Sequence, residues 1–365
     1  MSPPAGCEIR CPGCSHRTLS ATDSEVQKAD WLRRRLAPWA DRLQPLRTVA
    51  GAARWGYRRK VCLSAIWSET AGWQFGLWRR EELIPIPDCP VHAERVRVLV
   101  RWLMWALPPG PLFPLAFLVQ SNAQATLILK THRAPDPGWL NEAQRAELAA
   151  SGLEGLWLHL HPAAGRRLFA RNGWLLLWGQ PRSRDAFGLI YGPTAFQQLI
   201  PELYRQALAA AEEFLAPEPG DSLADLYCGI GAGLVRWTRR GARVIGVELG
   251  GEAVECARSN APDAAILRGK CADRIPQLRD WTPATGIRLL YVNPPRTGLE
   301  PEVLAWAAAE FRPGRLAYLS CSAGTLSRDL RALTAAGYAV EALIPYDFFP
   351  QTHHVETLAL LRRTG

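Results

Sequence analysis

Three closely spaced cysteines lie near the start of the chain. Cys7, Cys11 and Cys14 belong to the stretch CEIRCPGC, with three and then two residues between them. A fourth cysteine, Cys89, lies between an aspartate and a proline further along the chain. Thiolates at such spacings hold iron–sulfur clusters or zinc ions. The pattern therefore predicts a thiolate-bound metal group, and the residues alone leave iron–sulfur and zinc open.

A glycine-rich turn forms a second candidate site. In DLYCGIGAG, the residues Tyr227, Gly229 and Gly231 follow a strand-like run and precede a helix-like one, so that backbone can approach a ligand closely. Asp225 and Glu248 suit S-adenosylmethionine better than a dinucleotide, because a carboxylate at Asp225 would occupy the place where a pyrophosphate needs open backbone. A Rossmann-like turn without this cofactor stays open as the alternative.

Polar side chains are predicted at the ends of three later strands. Asn293 lies in YVNPPRTG, Cys321 in LAYLSCSAG and Glu356 in FPQTHHVETLALL. The carboxyl ends of strands line the ligand crevice of open α/β sheets, so an amide, a thiol and a carboxylate would converge beside the glycine turn. Taken singly, Cys321 also fits an inert core cysteine, and Glu356 fits an exposed carboxylate at a strand edge.

This combination of side chains suits methylation of a uracil ring. Carbon 5 of uracil becomes nucleophilic when a thiolate adds at carbon 6, and a base must then remove the proton on carbon 5. Cys321 would supply the thiolate, and Glu356 would be the base. The helix that begins after Cys321 is expected to lower the pKa of this thiol.

A regular alternation of strands and helices would position these residues. From YGPTAFQQLIPELYRQ onward, strand-like and helix-like runs follow one another, which is typical of a doubly wound, mostly parallel sheet. The last two strands, in YAVEALIPYDFF and VETLALLRR, are close in sequence and can pair antiparallel. The predicted fold class is therefore α/β, with a Rossmann-like domain over residues 191–365.

The preceding part of the chain predicts two smaller regions. Residues 1–92 hold the cysteines, a helix with Val26, Leu32 and Leu36 on one face, and a β-hairpin. Residues 93–190 alternate strands and helices as a small α/β domain. No repeat or low-complexity tract interrupts either region.

Composition favours a nucleic-acid partner. The chain of 365 residues carries a formal net charge of +9, and arginine supplies most of its positive charge. Arginine suits phosphate, although genomic base bias also enriches arginine. The start MSPPAGCEIR lacks the apolar run of a secretory leader, and PPGP breaks the most apolar region. We expect a cytoplasmic protein, and a monomer, since no interface pattern stands out.

Four motifs together resemble the RNA uracil-5 methyltransferase family. They are DLYCGIG, NPPRTGL, SCSAGTLSRDL and FPQTHHVETLALL, and they occur in the family's order. The stretch YRRKV in the first region also resembles this family. The resemblance implies a class I S-adenosylmethionine-dependent domain at 191–365 and an RNA-binding domain at 93–190. It also implies a covalent intermediate between Cys321 and uracil, which Glu356 resolves as base.

The same resemblance assigns ligands. It implies that the cofactor contacts Gln197, Asp225, Tyr227, Gly229, Gly231, Glu248 and Asn293. One branch of the family carries a four-cysteine [4Fe–4S] cluster, whose ligands match Cys7, Cys11, Cys14 and Cys89. Asn293, together with the lack of an extra N-terminal β-barrel module in this sequence, resembles a shorter branch that acts on large-subunit ribosomal RNA. The expected partner is therefore 23S rRNA, with transfer RNA as the alternative.

Some residues depart from the family pattern or fit other classes. Gly233 lies where many relatives have phenylalanine, which predicts a looser turn over the cofactor. Radical S-adenosylmethionine enzymes share the cysteine spacing, but Cys89 would close the cluster, and Gly13 replaces their usual aromatic residue. A non-catalytic RNA-binding relative stays open as a further alternative.

Overall fold

The computed structural model describes residues 4–364, which form two compact units. The first unit contains residues 4–18, 50–187 and 191–199, and the second contains residues 19–49, 188–190 and 200–364. Among these residues, no helix is both long and apolar enough to cross a membrane.

The helices are numbered in chain order. The α-helices are α1 (Ala21–Arg35), α2 (Glu94–Ala106), α3 (Glu142–Ala150), α4 (Pro201–Leu215), α5 (Ala232–Arg239), α6 (Gly251–Asn260), α7 (Ile275–Trp281), α8 (Pro301–Trp306) and α9 (Ala323–Ala335). Short 3₁₀ turns cover Ala37–Arg42, Gly51–Arg54, Pro137–Trp139 and Ala272–Arg274, and a π-helical turn covers Ala307–Phe311.

The strands are numbered in the same way. They are β1 (Lys60–Ser68), β2 (Gly72–Arg79), β3 (Glu82–Pro85), β4 (Leu115–Ser121), β5 (Gln124–Leu129), β6 (Gly155–Leu160), β7 (Trp174–Gly179), β8 (Ser183–Arg184), β9 (Ile190–Tyr191), β10 (Ser222–Leu226), β11 (Arg243–Glu248), β12 (Ala265–Arg268), β13 (Arg288–Val292), β14 (Arg315–Ser320), β15 (Tyr338–Tyr346) and β16 (Glu356–Arg363). The two-residue strands β8 and β9 form a separate small sheet.

The first unit is built on one mixed sheet of seven strands in the order β3-β2-β1-β4-β5-β6-β7. Its neighbours are antiparallel except β5 and β6, which are parallel because α3 connects them. Leu63 of β1 pairs with Leu118 of β4, so the sheet crosses the predicted boundary between residues 1–92 and 93–190. These two predicted regions therefore share one core, which also buries Leu99 of α2.

The second unit contains the predicted doubly wound sheet. Its seven strands have the order β12-β11-β10-β13-β14-β16-β15, and the first five are parallel. Every residue of β10 is buried, as expected for a central strand covered by helices on both faces. Strand β16 runs antiparallel between β14 and β15, which confirms the predicted antiparallel pairing of the last two strands.

Helix α1 differs from its predicted burial. Ser20 caps the helix by accepting a hydrogen bond from the Asp23 N–H, and Leu32 is buried as predicted. Val26, predicted on the same face, is 53% exposed, whereas Lys28 is 1% exposed. The prediction for Val26 was wrong because it ranked side chains by hydropathy, and the buried face here includes a charged residue.

Candidate functional site

The parallel strands of the second unit bring several predicted site residues to one edge of the sheet. Residues 227–231 follow β10, Glu248 ends β11, Asn293 follows β13, and Cys321 follows β14. Since β10, β11, β13 and β14 are parallel neighbours, their carboxyl ends face the same way. This edge is where ligands bind in open α/β sheets.

The glycine turn after β10 leaves open space for a ligand. Gly229 and Gly231 have φ of +57° and +86°, which is the left-handed region that favours glycine. A Cβ at Gly229 would meet no protein atom within 4 Å, so the turn forms an open cradle. The Glu248 carboxylate accepts hydrogen bonds from Gly229 N at 3.0 Å and from Gly250 N at 2.6 Å. Glu248 is thus fixed against the turn.

Asp225 lies beneath this turn as a buried acceptor. It is 1% exposed, and its Oδ2 accepts a hydrogen bond from Trp237 Nε1 at 2.9 Å. Its Oδ1 has no hydrogen-bond partner among the described residues. Burial raises the pKa of Asp225 to about 7, Trp237 lowers it, and the charge of Glu248 raises it. A buried carboxylate oxygen without a partner fits the ammonium group of S-adenosylmethionine.

Gly233 packs tightly against Asp225 and Trp237. A Cβ at this position would lie 2.4 Å from Asp225 Oδ2 and 2.9 Å from Trp237 Nε1. The fully buried indole of Trp237 fills this space. No role for Trp237 was predicted from the sequence. The only sequence signal for it is Gly233 itself, because the absence of a side chain there leaves space that the indole fills.

Tyr227 and Asn293 directly follow the neighbouring strands β10 and β13. Tyr227 has a φ of +61°, a strained value for a residue with a side chain, and its hydroxyl donates to Glu300 Oε2 at 3.3 Å. The Asn293 N–H donates to Leu226 O at 3.2 Å, which ties the turn after β13 to the end of β10. Gln197 belongs to the first unit, where its Nε2 is 3.5 Å from Asp185 Oδ2.

The register of β14 and β16 brings Cys321 and Glu356 together. Ser320 pairs with Thr357 in this antiparallel ladder. The next residue after Ser320 is Cys321, and the residue before Thr357 is Glu356, so continuing the register sets the two opposite each other. Glu356 is 3% exposed, and Cys321 is half-buried. A nucleophile and a carboxylate thus share the edge that carries the glycine turn.

The electrostatics at Cys321 differ from the prediction. Burial raises the pKa of the Cys321 thiol above its ordinary value, the charge of Glu356 raises it further, and Arg296 lowers it. The start of α9 does not bring about the predicted low pKa, because burial and a neighbouring carboxylate both disfavour a thiolate. Arg296, within NPPRTG, is a functional candidate to which the sequence alone assigned no role.

The four cysteines predicted as metal ligands lie within electrostatic reach of one another. Burial raises the pKa of Cys14 to about 11, and the charges of Cys89, Cys11 and Cys7 add to this rise. Backbone N–H groups approach two of the sulfurs. Gly13 N donates to Cys11 Sγ at 3.4 Å, and burial raises the pKa of Cys89 while hydrogen bonds from the backbone of Val91 and His92 offset part of that rise. Hydrogen bonds to sulfur and clustered thiols suit a thiolate-bound metal group.

The four cysteine side chains are not arranged with the geometry of a metal site. Among residues 4–364, no three His, Cys, Asp or Glu side chains stand in an arrangement that could hold a metal ion. The thiols therefore fit an iron–sulfur or zinc group by chemistry and neighbourhood, and not by their exact positions.

A family model and individual relatives point to the same family. Residues 110–364 match the family described as tRNA (Uracil-5-)-methyltransferase. The 23S rRNA (uracil(1939)-C(5))-methyltransferase RlmD of Thiobacillus denitrificans is 30% identical to the chain and aligns with 97% of it and with 84% of its own length. The uncharacterized RNA methyltransferase tlr0942 of Thermosynechococcus vestitus is 28% identical over 96% of the chain and 82% of its own length.

A solved structure supports the fold. The tRNA (uracil-54, C5)-methyltransferase of Pyrococcus abyssi, in complex with S-adenosyl-L-homocysteine, superposes with a TM-score of 0.70. The alignment covers 97% of this chain and 86% of that one, at 21% sequence identity. Together with the match over residues 110–364, these relatives confirm the resemblance inferred from the four motifs. The chain belongs to the tRNA (Uracil-5-)-methyltransferase family and is an S-adenosylmethionine-dependent RNA (uracil-5-)-methyltransferase.

Proposed function

We propose that this protein methylates carbon 5 of one uridine in 23S rRNA, with Cys321 as nucleophile and Glu356 as base. The observation that carries this proposal is the pairing of Ser320 with Thr357, which sets the thiol opposite the carboxylate at the carboxyl edge of the sheet. The names of ribosomal relatives such as RlmD support the choice of RNA.

The proposed reaction balances as an addition and an elimination. The Cys321 thiolate forms a bond to carbon 6 of the uracil, and the ring electrons move so that carbon 5 becomes nucleophilic. S-Adenosylmethionine, when bound, would supply the methyl group to carbon 5, and its sulfur–methyl bond would break to leave neutral S-adenosylhomocysteine. Glu356 then accepts the proton of carbon 5, the electron pair of that C–H bond restores the ring double bond, and the sulfur–carbon bond breaks to return the thiolate.

We assign the cofactor to the cradle at the glycine turn. The partnerless Oδ1 of Asp225 suits an ammonium donor, and Glu248 at the end of β11 suits the two ribose hydroxyls. We propose that the backbone of residues 227–231 lies along the cofactor. Asn293 would hold either the base edge or the methionine end, and Gln197 would contact the cofactor as in the family.

The target uridine must leave its stack to reach Cys321. Enzymes that act on a base flip it into the active site, because the ring is inaccessible within a helix. The net charge of +9 supports binding of the surrounding phosphates. We further propose that the protein acts as a cytoplasmic monomer, which light scattering of the purified protein would test.

The first experiment maps 5-methyluridine by mass spectrometry in ribosomal and transfer RNA from cells with and without the gene. We expect one site in 23S rRNA to lose its methyl group when the gene is absent. Loss at a transfer RNA site instead would keep the chemistry and overturn the choice of RNA. An unchanged map would favour a non-catalytic RNA-binding protein.

The roles of Cys321 and Glu356 are tested with purified protein. Cys321→Ala is expected to abolish methylation while RNA binding persists. Glu356→Gln is expected to trap a covalent protein–RNA adduct, visible as a band that resists denaturing electrophoresis and disappears on ribonuclease treatment. Free methylated RNA at the normal rate from the Glu356→Gln protein would remove Glu356 from the role of base.

We also propose that Cys7, Cys11, Cys14 and Cys89 bind a [4Fe–4S] cluster. What supports this is the neighbourhood of the four thiols, which are close enough for their charges to act on one another, together with the hydrogen bond from Gly13 N to Cys11 Sγ. Protein purified without oxygen should contain iron and acid-labile sulfide in equal amounts, and Cys14→Ser should lose both, whereas Cys62→Ser should keep them. Stoichiometric zinc in place of iron would overturn the cluster in favour of a zinc site.

A further inference from the structure

A buried ion pair joins helix α1 to the loop that precedes Glu356. Lys28 of α1 and Asp347 have fully buried side chains, and Lys28 Nζ lies 2.6 Å from Asp347 Oδ1. Both charges are thereby withdrawn from water, which costs free energy unless they are closely paired. Asp347 directly follows β15, and Glu356 begins β16, so the ion pair sits at one end of the connection between these strands.

Hydrogen bonds extend from Lys28 along this connection. Lys28 Nζ also donates to Phe349 O at 3.1 Å, and the Phe349 N–H donates to Asp347 Oδ1 at 3.2 Å. Phe349 O accepts a further bond from Thr352 N at 2.9 Å, and Thr352 Oγ1 accepts one from His354 N at 3.2 Å. The series of bonds thus leads from α1 to the second residue before Glu356.

The far side of the loop is closed by the sheet. Tyr346 pairs with Glu356 across β15 and β16, so both ends of the loop are held at adjacent positions. The Asp347 N–H also donates to Arg47 O at 2.8 Å. Lys28 is the ammonium group that closes the turn over residues 347–349 from within, and it comes from a distant part of the sequence.

We propose that Lys28 is a positioning residue for Glu356. By fixing Asp347 and Phe349 it holds the loop in the one conformation that aims the Glu356 carboxylate at the carbon 5 proton. A carboxylate displaced by about 1 Å would lose on the order of 100-fold in rate. This role rests on the proposed function, in which Glu356 acts only after methyl transfer. Loss of Lys28 should therefore slow proton removal and spare the methylation step.

Two isotopes in one assay separate these steps. The RNA carries tritium at carbon 5 of its uracils, and the cofactor carries radiocarbon in its methyl group. In Lys28→Met, methyl incorporation in a single turnover should stay near the wild-type rate, while tritium release slows about 100-fold and the covalent adduct accumulates. Arg33→Met is the matched control, because Arg33 lies on the same helix with a side chain that is 63% exposed.

A double variant guards against a purely structural effect. Lys28→Met combined with Asp347→Asn removes both charges, so it should regain melting temperature that Lys28→Met loses, yet still release tritium slowly. Equal slowing of methyl transfer and tritium release, or recovery of the normal release rate in the double variant, would overturn the positioning role alone. A wild-type protein that neither transfers methyl nor releases tritium would overturn the proposed function and this role with it.

Discussion

The thiol of Cys321 is balanced between two charged neighbours of opposite effect. Burial and Glu356 raise the pKa of this thiol, and Arg296 lowers it. In the proposed mechanism only the thiolate adds to carbon 6, so the fraction of active protein depends on this balance. Glu356, the proposed base, would therefore also hinder the first step, and Arg296 would offset part of that effect.

Replacing Arg296 should change the pH dependence of methylation. Because the pKa of Cys321 is raised, kcat/KM is expected to increase with pH above neutrality, and Arg296→Gln should move this increase to higher pH. A thiol pKa that is higher by about 1 lowers the thiolate fraction at neutral pH about tenfold. Arg296→Lys keeps the charge and should retain most of the wild-type profile. If Arg296→Gln lowers kcat/KM equally at every pH and does not shift the increase to higher pH, this role is contradicted.

Asp225 should make the ligand-free protein less stable as pH rises. Burial raises the pKa of its carboxyl from 3.8 to about 7, so the native state holds a proton that the unfolded state releases. This stabilisation is complete below the ordinary pKa and is lost as pH rises through about 7.

Asp225→Asn should remove that pH dependence, since an amide does not titrate and its oxygen can still accept the bond from Trp237. Thermal melts of ligand-free protein across this pH range provide the measurement. If wild type and Asp225→Asn change in parallel with pH, another group is responsible.

At the scale of single elements, hydropathy predicted where α1 lies but not how it is anchored. Leu32 is buried as the pattern indicated, while Val26 is exposed and Lys28 is buried. The partner of Lys28 is Asp347, more than three hundred residues away. A pattern along a helix cannot reveal a partner at such a distance, because the pairing exists only once the sheet has formed.

The start of α5 should tolerate no side chain at Gly233. Gly233→Ala forces its methyl group against Asp225 and Trp237, so it should lower the free energy of unfolding by about 1–3 kcal/mol and weaken cofactor binding. Gly324→Ala is a matched control in the first turn of α9, where a Cβ meets no atom within 4 Å. This control should change stability by less than about 1 kcal/mol. Calorimetry would compare the two, and equal effects would contradict the packing argument.

At the scale of the whole molecule, the alternation of strand-like and helix-like runs and the glycine-rich turn were sufficient to predict the sheet of the second unit. The glycine turn, Asn293, Cys321 and Glu356 each follow or begin a strand, so the sequence was sufficient to predict where these candidate residues lie relative to the strands. The sequence predicted two separate regions, 1–92 and 93–190, and not the single sheet of the first unit. The pairing of β1 with β4 joins these regions, and α2 separates the two strands in sequence. Only tertiary structure shows such a long-range pairing.

Charge predicts how the whole protein responds to salt. With a net charge of +9, RNA binding should release counterions, and raising salt from 50 to 200 mM should weaken it by roughly 10³–10⁵ if six to ten phosphates are contacted. Cofactor affinity is the internal control, because S-adenosylmethionine carries no phosphate. Filter binding at several salt concentrations measures the slope, and an RNA affinity as insensitive as that of the cofactor would contradict the prediction.

The position of β16 between β14 and β15 also determines the order in which the parts of the site form during synthesis. A ribosome makes β14 and Cys321 first, then β15, and only afterwards the strand that inserts between them. In the interval the nascent chain already has its sulfur nucleophile, while no carboxylate yet stands opposite it. On the proposed chemistry, such an unfinished chain has a group that can capture RNA and none that can release it. On this chemistry the growing chain can therefore form the covalent adduct before it can release the RNA.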